Sequence, residues 1–399
     1  MRRLFIFKII ILMFSWGTLL AQQPKLPDNY PPGLYDESKV PPYTLPDPLV
    51  MLNGKKVSDT LTWKEKRRPE ILKLFETHVY GRTMVGRPKE MTWEVTSEDR
   101  KVTKDSVVTK TVTIYFIGKK DGPKMNLNIT LPVNLGKRVP IFLVPGWDPG
   151  KEILFKRGYG LANFNPWEIE PDRKDSAYVK SIRKFFAQPG QTEPGPDEWG
   201  TLGAWAWATS RAMDYLETDP AIDASKVCIM GLSRYGKVVM WAGAQDERFA
   251  IVFSCESGCG GAVILRRGFG ETVKAINDYA PHWFCDNFKT YGDRVNELPV
   301  DWHMLVALMA PRPVYIATAE EDYWGDPRGS FLAGKNAEPV YSLFGKSGLG
   351  VDEMPAVETP VGDFIGYHNR KGGHALNEYD WEQFLNFADR HFGIIQKEE

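Results

Sequence analysis

Four side chains suited to hydrolytic chemistry fall where the sequence predicts turns. Ser233, Glu256 and Asp322 each lie just beyond a short apolar run, and His374 lies in a glycine-rich loop. A serine hydroxyl is a weak nucleophile at neutral pH, so it needs a base within hydrogen-bonding distance, and an imidazole can be that base. A carboxylate then fixes the imidazole tautomer and stabilises its protonated form. These residue types predict nucleophilic catalysis through a covalent intermediate on Ser233.

The predicted nucleophile lies in the segment Gly231-Leu232-Ser233-Arg234-Tyr235-Gly236-Lys237. Gly231 permits the strained strand-to-helix turn that exposes a serine hydroxyl, but the common form of that turn is G-x-S-x-G. Here Tyr235 takes the second glycine position and Gly236 follows one residue later. A serine between strand and helix can also be only an N-cap. Of the two interpretations, the sequence favours the nucleophile.

Apolar runs and helical patterns alternate over most of the chain. The predicted strands are 91–96, 107–116, 125–131, 139–144, 227–230, 250–253 and 313–317, and the predicted helices are 63–80, 201–216, a segment from just after Gly231 to Ala244, and 381–392. We expect the first three strands to form an antiparallel meander at one sheet edge. The rest predicts an α/β fold, with a mostly parallel central sheet and helices on both faces.

The positions of the four reactive side chains agree with that architecture. In a parallel sheet, reactive groups collect beyond the carboxyl ends of the strands. The order along the chain, serine, then acid, then histidine, is that of the α/β-hydrolase fold. Glu320 and Glu321, beside Asp322, are weaker candidates for the acid, because consecutive acidic residues usually include solvated ones.

The first 21 residues have the order of a secretory signal peptide. Arg2 and Arg3 precede an apolar run from Leu4 to Leu20, and the small Ala21 follows. A membrane anchor is the alternative, because the run approaches the roughly 20 residues that span a bilayer. We expect cleavage and a secreted or periplasmic protein that has no membrane attachment afterwards. Residues 22–52 predict an extended leader, and 53–399 predict a single hydrolase domain.

Charge, cysteines and histidines exclude several classes of function. The formal net charge is -1 and the basic residues are scattered, so we expect no nucleic-acid partner. Cys228 lies in an apolar strand and predicts a buried thiol, whereas Cys259 and Cys285 are the pair we expect if an exported chain forms a disulfide. Cys255 is the fourth cysteine. The six histidines lack the spacing of a zinc site, so we expect no metal and no organic cofactor.

The altered turn around Ser233 resembles the signature of a known family. Gly-x-Ser-Arg-x-Gly-Lys at 231–237 resembles the motif of the glucuronoyl esterases, carbohydrate esterase family 15. Five later blocks look like that family too, in particular its bacterial branch: 256–261, 298–303, 310–313, 322–327 and 372–374. The resemblance runs from about Asn53 to the C-terminus. It implies an α/β-hydrolase fold and a serine esterase.

The resemblance implies catalytic roles at matching positions. Ser233 would be the nucleophile, His374 the general base and Glu256 the acid. Arg234 would direct its guanidinium at the oxyanion of the tetrahedral intermediate, beside its own backbone N–H. Such a donor is worth about 3–4 kcal/mol in other oxyanion holes. The alternative for Arg234 is a surface ion pair.

The resemblance also implies a sugar site. Lys237, one helical turn from the nucleophile, would bond sugar hydroxyls, as would Glu271 and Trp324. Core packing is the alternative for Trp324, and a solvated charge for Glu271. Six tryptophans fall near the predicted active face, where a sugar platform and core packing are both open: Trp147, Trp167, Trp199, Trp205, Trp207 and Trp283. For His282 and His303, packing or capping and substrate contact are likewise open.

Two departures from the family pattern concern the loops and the acid. Fungal members bridge two active-site loops through cysteines at the positions of Leu232 and Ala375, so here we expect apolar contact to hold the loops. The ordinary hydrolase acid position is Asp322, whereas the fungal pattern uses Glu256. Both are present, and the sequence favours Glu256 as the principal acid.

The sequence therefore predicts a serine esterase that hydrolyses esters of (4-O-methyl-)glucuronic acid in glucuronoxylan, including lignin–carbohydrate ester links. One alternative is an esterase for other polysaccharide esters, such as acetyl-xylan or methyl-esterified uronate. The other is an inactive secreted carbohydrate-binding protein on a hydrolase scaffold. We expect a monomer; the leaving alcohol and the need for the 4-O-methyl group stay open.

Overall fold

The computed structural model describes Leu26 and residues 30–101, 107–133, 136–146 and 152–395. The expected signal peptide, residues 1–21, lies outside the described residues, as does Trp147. None of the helices in the described ranges is long and apolar enough to cross a membrane.

One mixed sheet forms the centre of the described structure. Its strands are β1 (Thr92–Lys101), β2 (Val107–Tyr115), β3 (Lys124–Pro132), β4 (Val139–Pro145), β5 (Gly160–Phe164), β6 (Ile222–Leu232), β7 (Ile251–Cys255), β8 (Val314–Ala319) and β9 (Ile365–Arg370). The order across the sheet is β1-β2-β3-β5-β4-β6-β7-β8-β9. Pairs β1–β2, β2–β3 and β3–β5 are antiparallel, and the rest are parallel. The predicted α/β-hydrolase architecture, with its antiparallel N-terminal edge, is confirmed.

Helices cover both faces of the sheet. They are α1 (Thr60–Thr62), α2 (Arg68–Phe75), α3 (Glu152–Lys156), α4 (Ile182–Phe185), α5 (Thr201–Leu216), α6 (Arg234–Gln245), α7 (Val273–Tyr279), α8 (Asp286–Lys289), α9 (Trp302–Ala307), α10 (Pro327–Leu343) and α11 (Glu378–Phe392). Two π-helical segments, Trp63–Arg67 and Glu76–Tyr80, extend α2 in both directions. Short 3-10 turns lie at Glu37–Lys39, Pro166–Glu168, Leu265–Arg267, Val295–Glu297 and Tyr323–Gly325.

Alternating side chains of the central strands feed two cores. In β4, Ile141 and Leu143 belong to a large core with α2, α5, α6, α9 and α10, whereas Phe142 and Val144 belong to a second core with α3 and α11. Successive side chains of a strand point to opposite faces, so an uninterrupted apolar run is what a strand covered on both faces requires.

Among the elements that the sequence did not predict are β5, β9 and α10. β5 and β9 carry glycine, asparagine, histidine and arginine among few apolar residues, so their patterns do not indicate strands. Helix α10 contains Pro339 and two glycines, which are helix-breaking signals. Burial in the assembled sheet and cores stabilises all three elements despite those signals.

The described part of the leader lies along the surface of the body. Leu34 pairs with Phe269 in a short parallel bridge, and the carbonyl of Pro48 accepts a hydrogen bond from Arg67. The 22–52 boundary itself stays a prediction.

The expected disulfide between Cys259 and Cys285 is wrong. Both thiols are free and buried, and so are Cys228 and Cys255. The pair was expected because both cysteines fall between predicted elements, but Cys259 packs in the large core and Cys285 is buried as well. The buried thiol predicted at Cys228 is confirmed.

Candidate active site

The carboxyl ends of four neighbouring parallel strands gather the predicted catalytic residues at one edge of the sheet. Ser233 directly follows β6 and Glu256 directly follows β7. Asp322 lies shortly after β8, and His374 lies in the loop between β9 and α11. Residues far apart in sequence meet because adjacent parallel strands all end at the same edge.

Ser233 occupies a strained turn between β6 and α6. Its φ of 59° and ψ of -127° are conformations that a residue with a side chain rarely adopts, and they persist only where the surroundings impose them. Its N–H donates to the carbonyl of Cys255 over 2.9 Å, which ties the turn to the end of β7. Ser233 stands at the N-cap position, yet its side chain makes no capping hydrogen bond. The hydroxyl is therefore not used as a cap.

The shifted glycine of the turn has a steric cause. A Cβ on Gly231 would lie 2.2 Å from the carbonyl oxygen of Tyr235. A Cβ on Gly236 would lie 2.8 Å from the Cβ of Ser257 and 3.1 Å from the oxygen of Cys255. The close approach of α6 to the end of β7 thus falls at 236, and position 235 is free to carry a side chain.

Tyr235 fills the space that this arrangement leaves. Its ring packs on Trp205, with 5.6 Å between ring centroids. The ring also covers Gly146 at the end of β4, where a Cβ would lie 2.5 Å from it. The aromatic residue that breaks the common motif therefore joins the turn at Ser233 to the neighbouring strand end.

His374 meets two carboxylates through one nitrogen. Its Nδ1 lies 2.9 Å from Oδ2 of Asp322 and 3.2 Å from Oε2 of Glu256. Both carboxylates are buried, whereas the imidazole is 44% exposed. Two acceptors at Nδ1 favour the tautomer that carries its proton there, and this leaves Nε2 unprotonated to act as a base. The sequence favoured Glu256 as principal acid, but the shorter of the two contacts is made by Asp322.

The carboxylate of Glu256 accepts hydrogen bonds from two groups, whereas its burial disfavours the ionised form. Its Oε1 accepts a very short hydrogen bond from Nη2 of Arg370, and Oε2 accepts one of 2.8 Å from the N–H of Ala375. Burial raises the pKa of Glu256 to about 9; Asp322 and Asp380 act in the same direction, whereas Arg370 and the Ala375 N–H lower the pKa. The ionised form of Glu256 therefore depends on Arg370.

The loop contacts partly correct our expectation from the missing cysteines. Leu232 and Leu376 do pack on the second core, as expected. Ala375, however, is held by polar groups, because its N–H donates to Glu256 and its carbonyl accepts from Arg370. An ion pair, and not apolar contact alone, ties this loop to the body.

Arg234, next to Ser233, is surrounded by aromatic and acidic side chains. Its Nη1 pairs with Asp172 at 2.5 Å, and its guanidinium lies 5.2 Å from the ring centroid of Trp283. Although burial opposes it, hydrogen bonds from His282, Trp283 and Arg234 lower the pKa of Asp172. The remaining donors of Arg234, Nε and Nη2, bond no other described residue. The side chain is 40% exposed, so these donors can reach a ligand.

Lys237 and Glu271 form a buried pair. Nζ of Lys237 donates to the carbonyls of Ser257 (2.7 Å) and Cys259 (2.6 Å) and to Oε2 of Glu271 (2.9 Å). An ammonium has three donors, so all of them are occupied here. Glu271 Oε1 accepts a very short hydrogen bond from the hydroxyl of Tyr279. Direct bonding of Lys237 to a sugar stays a prediction. In this arrangement the ammonium forms an ion pair with Glu271.

Trp324 lies on the same turn as Asp322 and is half-buried. Its backbone carbonyl accepts from the N–H of Glu271 over 2.9 Å, and its own N–H donates to the hydroxyl of Tyr30. The predicted sugar residues Lys237, Glu271 and Trp324 are therefore adjacent.

The structure shows which of the tryptophans and histidines left open by the sequence are core residues and which can face a ligand. Trp199, Trp205 and Trp207 are core residues, and Trp283 is buried under Arg234. Trp167 is 50% exposed and can face a ligand. His303 is buried, with Nε2 bonded to the carbonyl of Pro46, and Asp301 caps α9.

Four residues of this region escaped the sequence: Tyr30, Asp172, Tyr279 and Arg370. Tyr30, Asp172 and Tyr279 lie in the leader or outside the strand ends, where no motif marks them. Arg370 ends a strand that the pattern did not indicate. Only their three-dimensional contacts single them out.

Comparison with known proteins bears on this site as a whole. A family model described as glucuronyl esterase of fungi matches residues 116–345. A glucuronoyl esterase structure from Solibacter usitatus is similar at 44% identity with a TM-score of 0.85, over 89% of this chain and all of that chain. A promiscuous esterase of carbohydrate esterase family 15 from a marine bacterial metagenome is similar at 40% identity with a TM-score of 0.82. The match covers 90% of this chain and 100% of that chain. The 4-O-methyl-glucuronoyl methylesterase of Podospora anserina is 29% identical over 70% of this chain and 56% of that protein.

Proposed function

The chain belongs to the glucuronoyl esterases, carbohydrate esterase family 15, and from this premise we propose that it hydrolyses esters of (4-O-methyl-)glucuronic acid in glucuronoxylan, including lignin–carbohydrate ester links. The observation that carries this proposal is the joint geometry of the nucleophile and base. A strained serine turn after β6 and a histidine bonded to two buried carboxylates after β9 both lie beyond the carboxyl ends of the parallel strands, and the Lys237–Glu271–Trp324 group begins one turn along α6 from the serine.

In the proposed reaction, Ser233 attacks the C6 carbonyl of the glucuronate ester. His374 Nε2 takes the hydroxyl proton, and Asp322 stabilises the resulting imidazolium through Nδ1, where Glu256 is a second acceptor. The backbone N–H of Arg234, at the start of α6, has no partner within the helix and can bind the oxyanion. The Nε and Nη2 donors of Arg234 add charge at the same place. The imidazolium then protonates the leaving alcohol, and water releases glucuronate by the reverse sequence.

For the sugar, we assign contact roles to Trp324 and Glu271 and a supporting role to Lys237. The half-buried indole of Trp324 can lie against a pyranose ring. Glu271 presents carboxylate lone pairs that the hydroxyls of a sugar can use. Lys237 keeps that buried carboxylate ionised and fixed in place.

The central experiment is turnover of methyl and benzyl glucuronate by the wild type and by Ser233→Ala. We expect turnover by the wild type and a loss of about 10⁴-fold or more in kcat for the variant. Galacturonate and acetyl esters assayed in parallel test the broader polysaccharide-esterase alternative, which equal rates on these esters would support. Failure of a fluorophosphonate probe to label Ser233 would instead favour a carbohydrate-binding protein without turnover.

We also propose export, with 1–21 as a cleaved signal peptide and a monomeric mature chain. Support comes from the order of charge, apolar run and small residue at the N-terminus. N-terminal sequencing of the protein from the culture medium or periplasm, together with its mass in solution, tests both statements.

A further inference from the structure

The loop that carries His374 is built around the guanidinium of Arg370. The loop spans residues 371–377, between the end of β9 at Arg370 and the start of α11. Nη1 of Arg370 donates to the carbonyl of Lys371 over 2.8 Å, and Nη2 donates to the carbonyls of Gly373 (3.1 Å) and Ala375. Three carbonyls of one short loop thus point at one cation, and they flank His374.

The same guanidinium reaches two carboxylates on other elements. Nη2 bonds Glu256 after β7, and Nε bonds Oδ2 of Asp380 on α11 over 2.8 Å. Asp380 is fully buried and also accepts from the N–H of Asn377 and contacts His368. The ion pair with Asp380 closes the base of the loop, and the ion pair with Glu256 fixes the loop against the neighbouring strand.

We propose that Arg370 is the positioning residue of the catalytic histidine: it holds loop 371–377 and the Glu256 carboxylate in the one arrangement in which His374 Nδ1 faces both acids. The side chain is only 2% exposed, so it acts through Glu256 and the loop. A guanidinium suits this task because its planar fork offers five donors in fixed directions. This inference rests on the proposed esterase function.

Arg370 also affects the charge of Glu256. The charged and titratable groups that face Glu256 are Arg370 on β9, Asp322 after β8, Asp380 on α11 and His374. Of these, the two aspartates disfavour the carboxylate and Arg370 favours it. Removal of the positive charge must therefore extend the pH range over which Glu256 is protonated and does not stabilise a charged His374 as a carboxylate.

Two substitutions separate the geometric part from the electrostatic part. Arg370→Lys keeps the charge but has only three donors on a flexible stem, and Arg370→Met removes both. The control is Arg312→Lys, because Arg312 is a partly buried arginine bonded to three backbone carbonyls at the opposite end of β8. Melting temperature and circular dichroism establish which variants fold.

We expect Arg370→Lys to lower kcat on benzyl glucuronate by about 10²-fold, the usual effect of a slightly misplaced catalytic group, with little change in KM. Arg370→Met should lower kcat further. In the Asp322→Asn background, where Glu256 is the carboxylate left at Nδ1, Arg370→Met should also move the acidic limb of the kcat profile to higher pH, and Arg370→Lys should not. The rate of fluorophosphonate labelling of Ser233 should fall in parallel, because labelling uses the same base.

Two results would overturn the proposal. One is a folded Arg370→Lys with the kcat and labelling rate of the wild type. The other is an Arg370→Lys variant that loses no more kcat than Arg312→Lys does when the two variants lose the same melting temperature, together with no shift of the acidic limb in Arg370→Met. That result would leave Arg370 a purely structural role. If the wild type labels with the probe but turns over no glucuronate ester, the proposed function fails and the labelling rates still test Arg370.

Discussion

At the scale of single residues, the site is governed by how many partners each charged group has. His374 has two acids at one nitrogen, and Lys237 has all three donors filled by the protein. A buried ionised group without partners costs several kcal/mol, so the charges here are arranged in bonded sets. The roles of Asp322 and Glu256 should therefore differ in their pH dependence.

Asp322→Asn should lower kcat at neutral pH by roughly 10²-fold, a loss set by the tautomer and orientation of His374. The remaining acid is Glu256, whose pKa burial raises to about 9. Asp322 is one of the groups that raise this pKa, so in the variant the pKa is lower but still raised by burial. The Glu256 carboxylate is lost as pH falls, so activity of this variant should rise between pH 7 and 9. Steady-state kcat on benzyl glucuronate across this range is the measurement.

Glu256→Gln is the matched variant for that experiment. It keeps the Asp322 contact, so its kcat should show no such recovery, and the double variant should lose about 10⁴-fold. A wild-type pH profile in Asp322→Asn would contradict a role of Asp322 at His374.

At the scale of elements, the strand ends and the first turn of α6 set the position of Ser233, the proposed nucleophile. The turn departs from the common G-x-S-x-G form because α6 approaches β7 at residue 236, and Tyr235 fills the space toward β4. A one-residue shift of the glycine is thus a packing solution and does not weaken the turn.

Gly236→Ala should lower both stability and activity. Its Cβ would meet Ser257 at 2.8 Å and force α6 away from β7, at a cost of about 1–3 kcal/mol. Gly86→Ala is the control, since nothing lies within 4 Å of its added Cβ. Thermal unfolding and kcat measured on both variants check this, and a Gly236→Ala protein as stable and active as the control would refute the packing argument.

At the scale of the whole molecule, stability should depend on histidines that the fold keeps neutral. Burial lowers the pKa of His78, His303, His368 and His391 below the usual 6.5. Their contribution to stability is complete above pH 6.5 and is lost as pH falls, because the unfolded chain takes up protons first. Glu256 has the opposite effect on the pH dependence of stability. Because its pKa is raised in the folded protein, its contribution is present below pH 4.5 and is lost as pH rises toward 9.

His303→Gln isolates the histidine contribution. A glutamine amide can still donate to the carbonyl of Pro46, the partner of His303 Nε2, but it does not titrate. Between pH 7 and 5 the melting temperature of the wild type should therefore fall more than that of the variant, by roughly 2–4 °C for each kcal/mol involved. Parallel curves for the two proteins would show that His303 is not protonated on unfolding in this range.

The sequence by itself determined the fold class, and it placed Ser233 in a turn ahead of the acidic residues and the histidine. These follow from local patterns: two-sided apolar strands, a glycine at a tight turn, and reactive groups after strands. The family came from the resemblance of whole motifs. The strands β5 and β9 and helix α10 were not predictable, since their own residues favour loops and only burial stabilises them.

Only the tertiary structure decided which groups bond to which. Asp322 and Glu256 lie 66 positions apart, yet both reach one imidazole nitrogen, and Arg370 meets Glu256 across 114 positions. A hydrogen bond exists or fails within a few tenths of an ångström, whereas a sequence pattern fixes an element only to within a few residues. The type of chemistry could therefore be predicted from the sequence. Its geometry required the assembled fold, and so did the arginine at the centre of the histidine loop.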